Sequence, residues 1–229
     1  MLDKIVPSLE HAFKDLRDGA VVMVHGFGPS SVPTDLIDGL LDYTDVRDMT
    51  MIANNAGTGY TGMARMIASG RVRKVVCSYP RSYPKVPSAF EDLYAMGKFE
   101  LELVPQGTLS ERIRAGGAGI GAFFTPTGAG TPLAEGKEVR VIDGRQQVME
   151  YALKADVALI SAYQADRWGN LTYRLAARNF GPIMAMAANI TIVQARAIVE
   201  LGDIPAEHVM TPSIFVSRIV HIPNPKPGS

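Results

Sequence analysis

The sequence has one cysteine, Cys77, no excess of charge of either sign and no long hydrophobic run. A single cysteine forms neither an internal disulfide nor a cysteine-based metal cluster, which favours a reducing compartment. Lys plus Arg and Asp plus Glu each number 23, so the sequence lacks the diffuse basic field that non-specific nucleic-acid binding needs. No apolar stretch of about 18 residues is present to span a bilayer, and the charged, amphipathic N-terminus is not a secretory signal. We therefore expect a cytoplasmic protein with no membrane or nucleic-acid partner.

Two common kinds of site are also missing from the pattern. The four histidines, His11, His25, His208 and His221, lie far apart without metal-ligand spacing, so we expect no metal site. A dinucleotide fingerprint is incomplete, because Ser31 stands where G-x-G-x-x-G needs its third glycine. No acidic residue ends the following β-like run, which is followed by Asn54 and Asn55. These absences argue against a nicotinamide-dependent oxidoreductase.

What the sequence does contain is an alternation of short apolar runs with helical segments. With 229 residues, of which 47% are hydrophobic, the chain is long enough to bury one large core. The alternation predicts an α/β fold with a mostly parallel open sheet flanked by helices, in a single domain over residues 1–222. Three prolines in the last eight residues predict a flexible tail over residues 223–229.

The periodicity places these elements along the chain. Strands are predicted at 21–24, 49–53, 74–78, 99–104, 139–142, 157–162, 191–195 and 214–220, and helices at 60–68, 87–96, 109–115, 182–188 and 205–209. Thr108 and Glu111 fit a capping box that would start a helix just after Thr108. The stretch Gly116–Gly136 holds seven glycines in 21 positions and is interpreted as a long ordered loop.

Several polar residues follow the predicted strands, and each has an ordinary interpretation beside a functional one. Gly26-Phe27-Gly28 either forms a tight turn or lets backbone amides at a helix N-terminus bind an anion. His25 is either hydrogen-bonded locally at the strand end or a candidate acid, base or donor. Asn54 is either a turn residue or faces the same edge of the sheet, and Gln106 is either a turn residue or an amide donor to an oxyanion.

Two further residues have similar pairs of interpretations. Cys77 ends a predicted strand without a neighbouring histidine, and is most simply a buried apolar side chain. Trp168 lies in the polar segment Asp166–Asn170, which is either a hairpin turn or a ligand or partner contact. From the residues alone, the sequence indicates an α/β domain with an anion-binding loop.

Longer motifs carry a family resemblance. The apolar run Val21–Val24 with Gly26-Phe27 and Pro33, the run from Pro105 to Gly119, and Phe123–Gly128 resemble the A (α) subunits of family I coenzyme A transferases. The segments Asp166–Arg174 and Ala177–Ala187 look particularly like the 3-oxoadipate branch of these A subunits. The resemblance covers nearly the whole chain, and the long motifs are much more specific than the glycine loop.

The resemblance implies transfer of coenzyme A from succinyl-CoA to a 3-oxo acid, with 3-oxoadipate as the expected acceptor. The nucleophilic glutamate of the family belongs to a partner B subunit, and an A2B2 heterotetramer is expected. Glu135-Gly136 is the only Glu-Gly pair here and lies in the A-type loop, so it is not assigned as the nucleophile. No tightly bound cofactor is expected, since coenzyme A and succinyl-CoA are substrates.

The resemblance also implies roles for individual residues. Gln106 is the expected oxyanion donor. The expected coenzyme A contacts are His25, Gly26, Phe27, Gly28, Pro29, Ser30 and Ser31. The expected substrate contacts are Gly116, Gly117, Ala118 and Gly119, and also Asn54, which is expected from its place after a predicted strand rather than from the resemblance. His25 and Ser31 replace glycines of the family pattern, and a side chain at either place would cost about 1 kcal/mol if the backbone there has positive φ. The prolines between Tyr79 and Pro87 are a further departure.

Alternatives to this function remain. Within the same class, acetoacetate could be the acceptor. In a different class, the chain would be a non-catalytic module that binds acyl-CoA or a nucleotide through the same loop.

Overall fold

A computed structural model describes residues 2–80 and 88–226. In chain order, its strands are β1 (Val21–Val24), β2 (Met49–Ala53), β3 (Val72–Cys77), β4 (Glu100–Leu103), β5 (Ala122–Thr125), β6 (Val139–Ile142), β7 (Arg145–Tyr151), β8 (Ala155–Asp166), β9 (Leu171–Thr172), β10 (Ala188–Val199) and β11 (Arg218–His221). Its α-helices are α1 (Leu9–Ala12), α2 (Thr34–Tyr43), α3 (Met63–Ala68), α4 (Ala89–Ala95), α5 (Gln106–Ala118) and α6 (Gly181–Ala187). None of these helices is both long enough and apolar enough to cross a bilayer.

The large sheet has the strand order β11-β10-β8-β1-β2-β3-β4, and the neighbours in this path are parallel. The short strand β9 adds to β8 in the antiparallel direction. This confirms the predicted mostly parallel sheet. A parallel sheet needs helices on both faces to bury its side chains, and α2 and α5 supply them.

The core is divided by the sheet because successive side chains of a strand point to opposite faces. Val22 and Val24 of β1 belong to one hydrophobic cluster, together with Leu36 and Leu40 of α2. Met23, between the two valines, belongs to the cluster on the other face. That second cluster also contains Leu109 and Ile113 of α5 and Met184 of α6.

A second, antiparallel sheet with the order β5-β7-β6 lies beside α5, and two of its three strands were not predicted from the sequence. Arg112 of α5 joins it to the rest, donating to the carbonyl of Tyr151 (2.7 Å) and pairing with Glu102 (2.7 Å). The neighbouring Glu150 is buried and pairs with Lys137 at 2.7 Å. The two buried side chains of β7 are the apolar Val148 and the charged Glu150, so the strand does not form an apolar run.

The prediction of one long loop over Gly116–Gly136 is wrong. Residues 116–118 are the last turn of α5, Gly119 ends that helix in the left-handed conformation, and β5 follows. Packing overrides the low helix propensity of glycine: a Cβ on Gly116 would lie 1.9 Å from the carbonyl oxygen of Leu153, and one on Gly117 would lie 2.7 Å from Cβ of Met186. The close approach that these glycines allow is therefore to other parts of the same chain.

Other predicted boundaries also change. Helix α5 begins at Gln106 rather than after Thr108, and the Thr108 hydroxyl is buried without a hydrogen-bond partner among the described residues. The run 214–220 divides into the 3-10 helix Ser213–Phe215 and strand β11, and 205–209 contains only the 3-10 helix Ala206–His208. Of the prolines between Tyr79 and Pro87, Pro84 and Pro87 lie outside the described residues, as do residues 227–229 of the predicted tail. Lys226 donates its backbone N–H to Asp35 (3.0 Å).

The packing of α5 gives a testable stability difference between two of its glycines. Gly116→Ala should lower the free energy of unfolding by about 1 to 3 kcal/mol, because the new Cβ collides with a backbone oxygen. Gly107→Ala in the same helix is the matched control, since nothing lies within 4 Å of its Cβ position. It should be neutral or stabilising by up to about 1 kcal/mol. Urea unfolding of both variants measures the difference, and equal effects would contradict the packing explanation.

Candidate functional site

The carboxyl ends of β1 to β4 lie along one edge of the large sheet, since these strands are parallel neighbours. The segment His25–Ser31 follows β1, Asn54 and Asn55 follow β2, Ser78 and Tyr79 follow β3, and Gln106 comes shortly after β4. In open α/β sheets, ligands bind at this edge. The fold therefore brings His25, Asn54 and Gln106, which are far apart in sequence, to the same side of the molecule.

Asn54 and Gln106 form a direct amide–amide hydrogen bond. Nε2 of Gln106 donates to Oδ1 of Asn54 at 2.7 Å. Asn54 is fully buried, and its backbone oxygen accepts from the N–H groups of Ser78 (3.0 Å) and Tyr79 (3.4 Å). Gln106 is the first residue of α5 and is exposed. The buried asparagine thus fixes the position of an amide at the solvent-facing edge.

The contact between these two amides leaves some of their hydrogen-bond donors unused. Two primary amides carry four N–H bonds, and the contact between them uses one. Nδ2 of Asn54 is buried and has no partner within the described part of the chain. Leaving a buried donor unpaired costs about 1 to 3 kcal/mol, so such a group needs an acceptor from an ordered water, a ligand or a partner.

Asn55 and Ser78 extend this set of unpaired polar groups. Oδ1 of Asn55 accepts from the N–H of Gly57 at 2.8 Å, which makes the local turn that the sequence indicated. Its Nδ2 is buried without a partner in residues 2–80 and 88–226, and so is Oγ of Ser78. The asparagine segment therefore forms the turn that the sequence indicated, and it lies at the carboxyl ends of the parallel strands.

The glycine loop after β1 is a tight hairpin and does not form a helix N-terminus. Phe27 and Ser30 exchange backbone hydrogen bonds of 3.0 and 3.1 Å, and Gly28 at the turn has φ +59°. Helix α2 begins only at Thr34, and the N–H of Leu36 in its first turn donates to Oε1 of Gln194. The loop presents an exposed Phe27 and a small Gly28 whose Cβ position is 3.9 Å from the Tyr79 hydroxyl.

His25 is the first residue of this loop. It is fully buried, and its Nδ1 accepts from the N–H of Ser161 (3.3 Å). The edge of its ring meets Tyr173, with 5.8 Å between ring centroids, and a Cβ on Gly181 would lie 3.0 Å from Nε2. Burial lowers the pKa of His25 to about 4, although the backbone carbonyl of Arg178 partly opposes this. The imidazole is therefore neutral at pH 7 and, in this arrangement, its side chain does not reach solvent.

Ser31 is held in a strained conformation by two hydrogen bonds. Its φ is +59°, and its hydroxyl donates to the carbonyl of Ser30 (2.6 Å) and accepts from Nδ2 of Asn179 (2.7 Å). A side chain at this φ costs about 1 kcal/mol, and the bond to Asn179 offsets that cost. His25 has no positive φ, so only one of the two replacements of a family glycine strains the backbone.

Of the other candidate residues, Cys77 has its simpler interpretation, and Trp168 lies in the turn that the sequence predicted. Cys77 is buried at the end of β3, and burial raises the pKa of its thiol to about 12. Trp168 lies in the turn between β8 and β9, where Asp166 accepts from the N–H groups of Trp168, Gly169 and Asn170. Gly116 packs against Leu153, and Gly117 packs against Met186. Gly119 has open space at its Cβ position.

The structure adds residues that were not selected from the sequence. Ser30 and Ser31 also line a cavity of about 430 Å³, together with Arg174, Gln194 and Arg196. A sequence signal was available for two of them: Gln194 and Arg196 are polar residues two positions apart in the apolar run of β10, and so point to the same face. Asn179 had no such signal, because its role depends on a contact with Ser31.

The depressed pKa of His25 predicts acid-sensitive stability. Between its ordinary value of 6.5 and the folded value of about 4, the unfolded chain binds a proton that the folded chain does not. Stability is therefore lost as the pH falls through this window, by about 2 kcal/mol between pH 7 and pH 5 from this residue alone. Urea unfolding of the wild type and of His25→Gln measures the difference in this pH dependence. An NMR titration of the His25 ring is the independent check, and an apparent pKa above 6 would contradict the buried neutral state.

Comparisons with known proteins give the family. Residues 6–221 match the family described as coenzyme A transferase. The A subunit of the 3-oxoadipate CoA-transferase of Pseudomonas putida is 56% identical over 97% of this chain and 95% of that protein. The A subunit of the succinyl-CoA:3-ketoacid coenzyme A transferase of Xanthomonas campestris pv. campestris strain B100 is 48% identical over 90% of this chain and 83% of that protein.

Among solved structures, an acyl-CoA transferase from Escherichia coli O157:H7, determined as a thioester complex with CoA, has the same fold. The TM-score is 0.83 at 21% identity, and the match covers 99% of this chain and 49% of that one. This chain thus spans about half the length of the bacterial acyl-CoA transferase. The match over residues 6–221 and the high identity to two curated relatives lead to one conclusion: the chain belongs to the coenzyme A transferase family.

Proposed function

We propose that the chain is the A subunit of a two-chain enzyme that moves coenzyme A from succinyl-CoA to a 3-oxo acid, with 3-oxoadipate as the acceptor. The names and high identity of its relatives support the two-chain organisation, the donor and the acceptor. The single observation that carries the mechanism is the composition of the site edge. It holds the amides of Asn54 and Gln106, and no Asp or Glu occurs in the segments 25–31, 54–57, 78–79 and 105–106.

Transfer of coenzyme A between two acids requires a nucleophile. In the proposed reaction, the thioester carbonyl of succinyl-CoA is attacked by a glutamate carboxylate of the B subunit, and the tetrahedral intermediate expels the coenzyme A thiolate to leave an acyl anhydride. The thiolate attacks the glutamyl carbonyl of that anhydride and releases succinate, which leaves a glutamyl-CoA thioester. The same steps in reverse order, with the 3-oxo acid as the attacking carboxylate, give the new thioester and restore the glutamate.

Each tetrahedral intermediate places a negative charge on a carbonyl oxygen. The N–H bonds of Gln106 are already oriented by Asn54, so they do not reorganise as that charge develops. One preorganised donor of this kind supplies about 3 to 4 kcal/mol to the transition state. Because the Cys77 thiol stays protonated and His25 neutral and buried, the contribution of this chain is the orientation of neutral donors.

In this proposal the His25–Ser31 loop contacts coenzyme A through its exposed part. Phe27 is 48% exposed, and the glycines beside it let a ligand approach the backbone. His25 acts indirectly, by fixing the point at which the loop leaves β1. The B subunit completes an A2B2 assembly in which the loop and the Asn54–Gln106 pair face the glutamate.

The first prediction of the proposed function is that activity requires both chains. The purified chain alone should exchange no coenzyme A between succinyl-CoA and 3-oxoadipate, and neither should the B chain alone. Mixing the two should give robust exchange, measured by chromatography of the CoA esters. Exchange by this chain alone would contradict the proposal. Tight coenzyme A binding without exchange in any pairing would instead indicate a binding module, and faster exchange with acetoacetate would correct the acceptor.

The second prediction concerns Gln106. In the assembled enzyme, Gln106→Ala should lower kcat by about a hundredfold or more, because an oriented donor to the oxyanion is lost. Its exposed position means that folding and assembly should be preserved. Since the two amides act as a unit, adding Asn54→Ala should lower kcat less than the product of the two single effects. Single-turnover kinetics measure the chemical rate.

Gln146→Ala is the control for this measurement, because Gln146 is an exposed glutamine of β7 in the small antiparallel sheet. Its kcat should equal that of the wild type. A kcat for Gln106→Ala equal to that of the control would remove Gln106 from the mechanism.

A further inference from the structure

A cavity lies beyond the end of β1, on the face of the sheet that α2 covers. Strand β1 ends at Val24, which pairs with Leu159, whereas β8 continues to Asp166 alongside β10. Leu159 belongs to the same hydrophobic cluster as Leu36 of α2, so Ser161, two residues further along β8, points to that face as well. Ser161 lines the cavity, whose volume is about 430 Å³.

This cavity is separate from the amides of the candidate site. Ile52 of β2 belongs to the cluster on the other face of the sheet, so Asn54, two residues further along, points to the α5 face. Gln106 bonds to Asn54 from α5 itself. A small molecule bound in the cavity would therefore lie across the sheet from these two amides and leave them free.

The floor of the cavity carries polar side chains that are almost completely buried. Ser161 is 8% exposed, and Gln194, its register partner on β10, is 2% exposed; both line the cavity. Oε1 of Gln194 accepts from the N–H of Leu36 at 3.2 Å, which holds this side chain against α2. Its Nε2 and the Ser161 hydroxyl have no hydrogen-bond partner in residues 2–80 and 88–226. Since an unpaired buried donor is unfavourable, both groups favour an acceptor inside the cavity.

The rim of the cavity adds positive charge to these donors. Arg174 and Arg196 line it at exposed positions, and no Asp or Glu lines it. Neither guanidinium has a partner within the part of the chain that the structure describes, whereas Arg65 and Arg112 are paired with carboxylates. Salt screens the attraction of exposed arginines, so specificity would come from the buried donors. Donors on the floor and cations on the rim together favour an anionic head group.

The remaining walls of the cavity are small and apolar. They include Ala162, Ala176, Ala177 and Pro225. A volume of about 430 Å³ is in the range of pockets that hold small organic molecules. A ligand with an anionic head group and a compact apolar body matches both the floor and the walls.

Two contacts hold the segments around the cavity. Nδ2 of Asn179 donates to the Ser31 hydroxyl at 2.7 Å and joins one wall to the loop after β1. The backbone N–H of Lys226 donates to Asp35 of α2 at 3.0 Å, next to Pro225 in the lining. The cavity is therefore formed before a ligand binds, and little ordering of the chain opposes binding.

We propose that this cavity is a binding site for a small organic anion. Its carboxylate or phosphate head group binds Ser161, Gln194 and the two arginines of the rim, and its apolar body packs on the alanine wall. The site lies apart from the amides of Asn54 and Gln106, so its occupant does not react there. The inference is independent of the proposed function, since it concerns binding to this chain alone, and failure of one leaves the other testable.

The binding test uses the full chain and isothermal titration calorimetry. Benzoate and phenyl phosphate are the anionic probes, and benzamide is the neutral molecule with the shape of benzoate. At least one of the anions should bind tenfold or more tightly than benzamide, and the tighter of the two identifies the head group. Equal binding of both anions and benzamide would show that charge is not recognised, and would overturn the proposal.

A variant of the buried floor tests the position of the site. Ser161→Ala should weaken binding of the tighter anion by about tenfold or more, as expected for loss of a hydrogen bond to a charged group. It removes a hydroxyl that has no partner among the described residues, so the midpoint of urea unfolding should not fall. Ser110→Ala is the matched control, because Ser110 is a half-buried serine of α5, on the other face of the sheet.

Variants of the rim test the charge. Arg174→Gln and Arg196→Gln should each weaken anion binding severalfold at low salt and less at high salt. Arg47→Gln is the control, because Arg47 is exposed and lies just before β2, at the opposite edge of the sheet. Loss of binding in the arginine variants with none in Ser161→Ala would show ion pairing at the surface, and would overturn the cavity site.

Nuclear magnetic resonance of the side-chain amides locates the bound probe. The Nε2 resonance of Gln194 should shift as the anion is added, with the affinity measured by calorimetry. The Nε2 resonance of Gln106 should not move, because Gln106 lies on the other face of the sheet. A shift at Gln106 with none at Gln194 would place the probe at the amides of the candidate site and overturn the proposal.

Discussion

The hydrogen bond between Gln106 and Asn54 is the contact on which the site depends. It joins the start of α5, just after β4, to the end of β2, and these two strands are not neighbours in the sheet. Helix α5 also packs on α6, and its Arg112 is hydrogen-bonded to Tyr151. The position of Gln106 is therefore fixed by the packing of α5 as well as by Asn54. A surface glutamine would otherwise sample several rotamers, and that freedom would weaken it in the proposed role of oxyanion donor. The buried Asn54 removes this freedom before a substrate binds.

The short length of β1 is the second constraint. The chain must leave the sheet at His25 while β8 continues, so the hairpin at Phe27–Ser30 turns back over an open shelf. The two sides of this hairpin consequently have different neighbours: the Cβ position of Gly28 lies 3.9 Å from the Tyr79 hydroxyl, and Ser31 lines the cavity. The contact between Ser31 and Asn179 holds the hairpin to segment 173–179. One loop thereby borders the cavity and is held to the segment that forms its other side.

The sequence predicts the fold class and several strands better than it predicts helix ends and side-chain contacts. Strands β1, β2 and β6 have their predicted bounds because their apolar runs are short and sharply limited. Helix α5 was predicted too short at both ends, since neither the early start at Gln106 nor the packing of Gly116 against Leu153 is a property of local sequence. Strand β7 was missed because the ion pairs of Glu150 replace the apolar alternation expected of a strand. The family resemblance selected Gln106, but its bond to Asn54 requires the fold.

The chemistry of the edge explains why a division of labour between two chains suits the proposed reaction. A glutamate buried beside neutral amides in its own chain would have its pKa raised by desolvation, and as the protonated acid it would be a poor nucleophile. In the proposed reaction the amides of Asn54 and Gln106 stabilise developing negative charge, so they would also bind a resident carboxylate and lower its reactivity. If the carboxylate arrives on a partner, each chain can fold with its own polar groups oriented. The nucleophile then meets the donors only when the thioester lies between them, and the charge that they stabilise best is that of the tetrahedral intermediate.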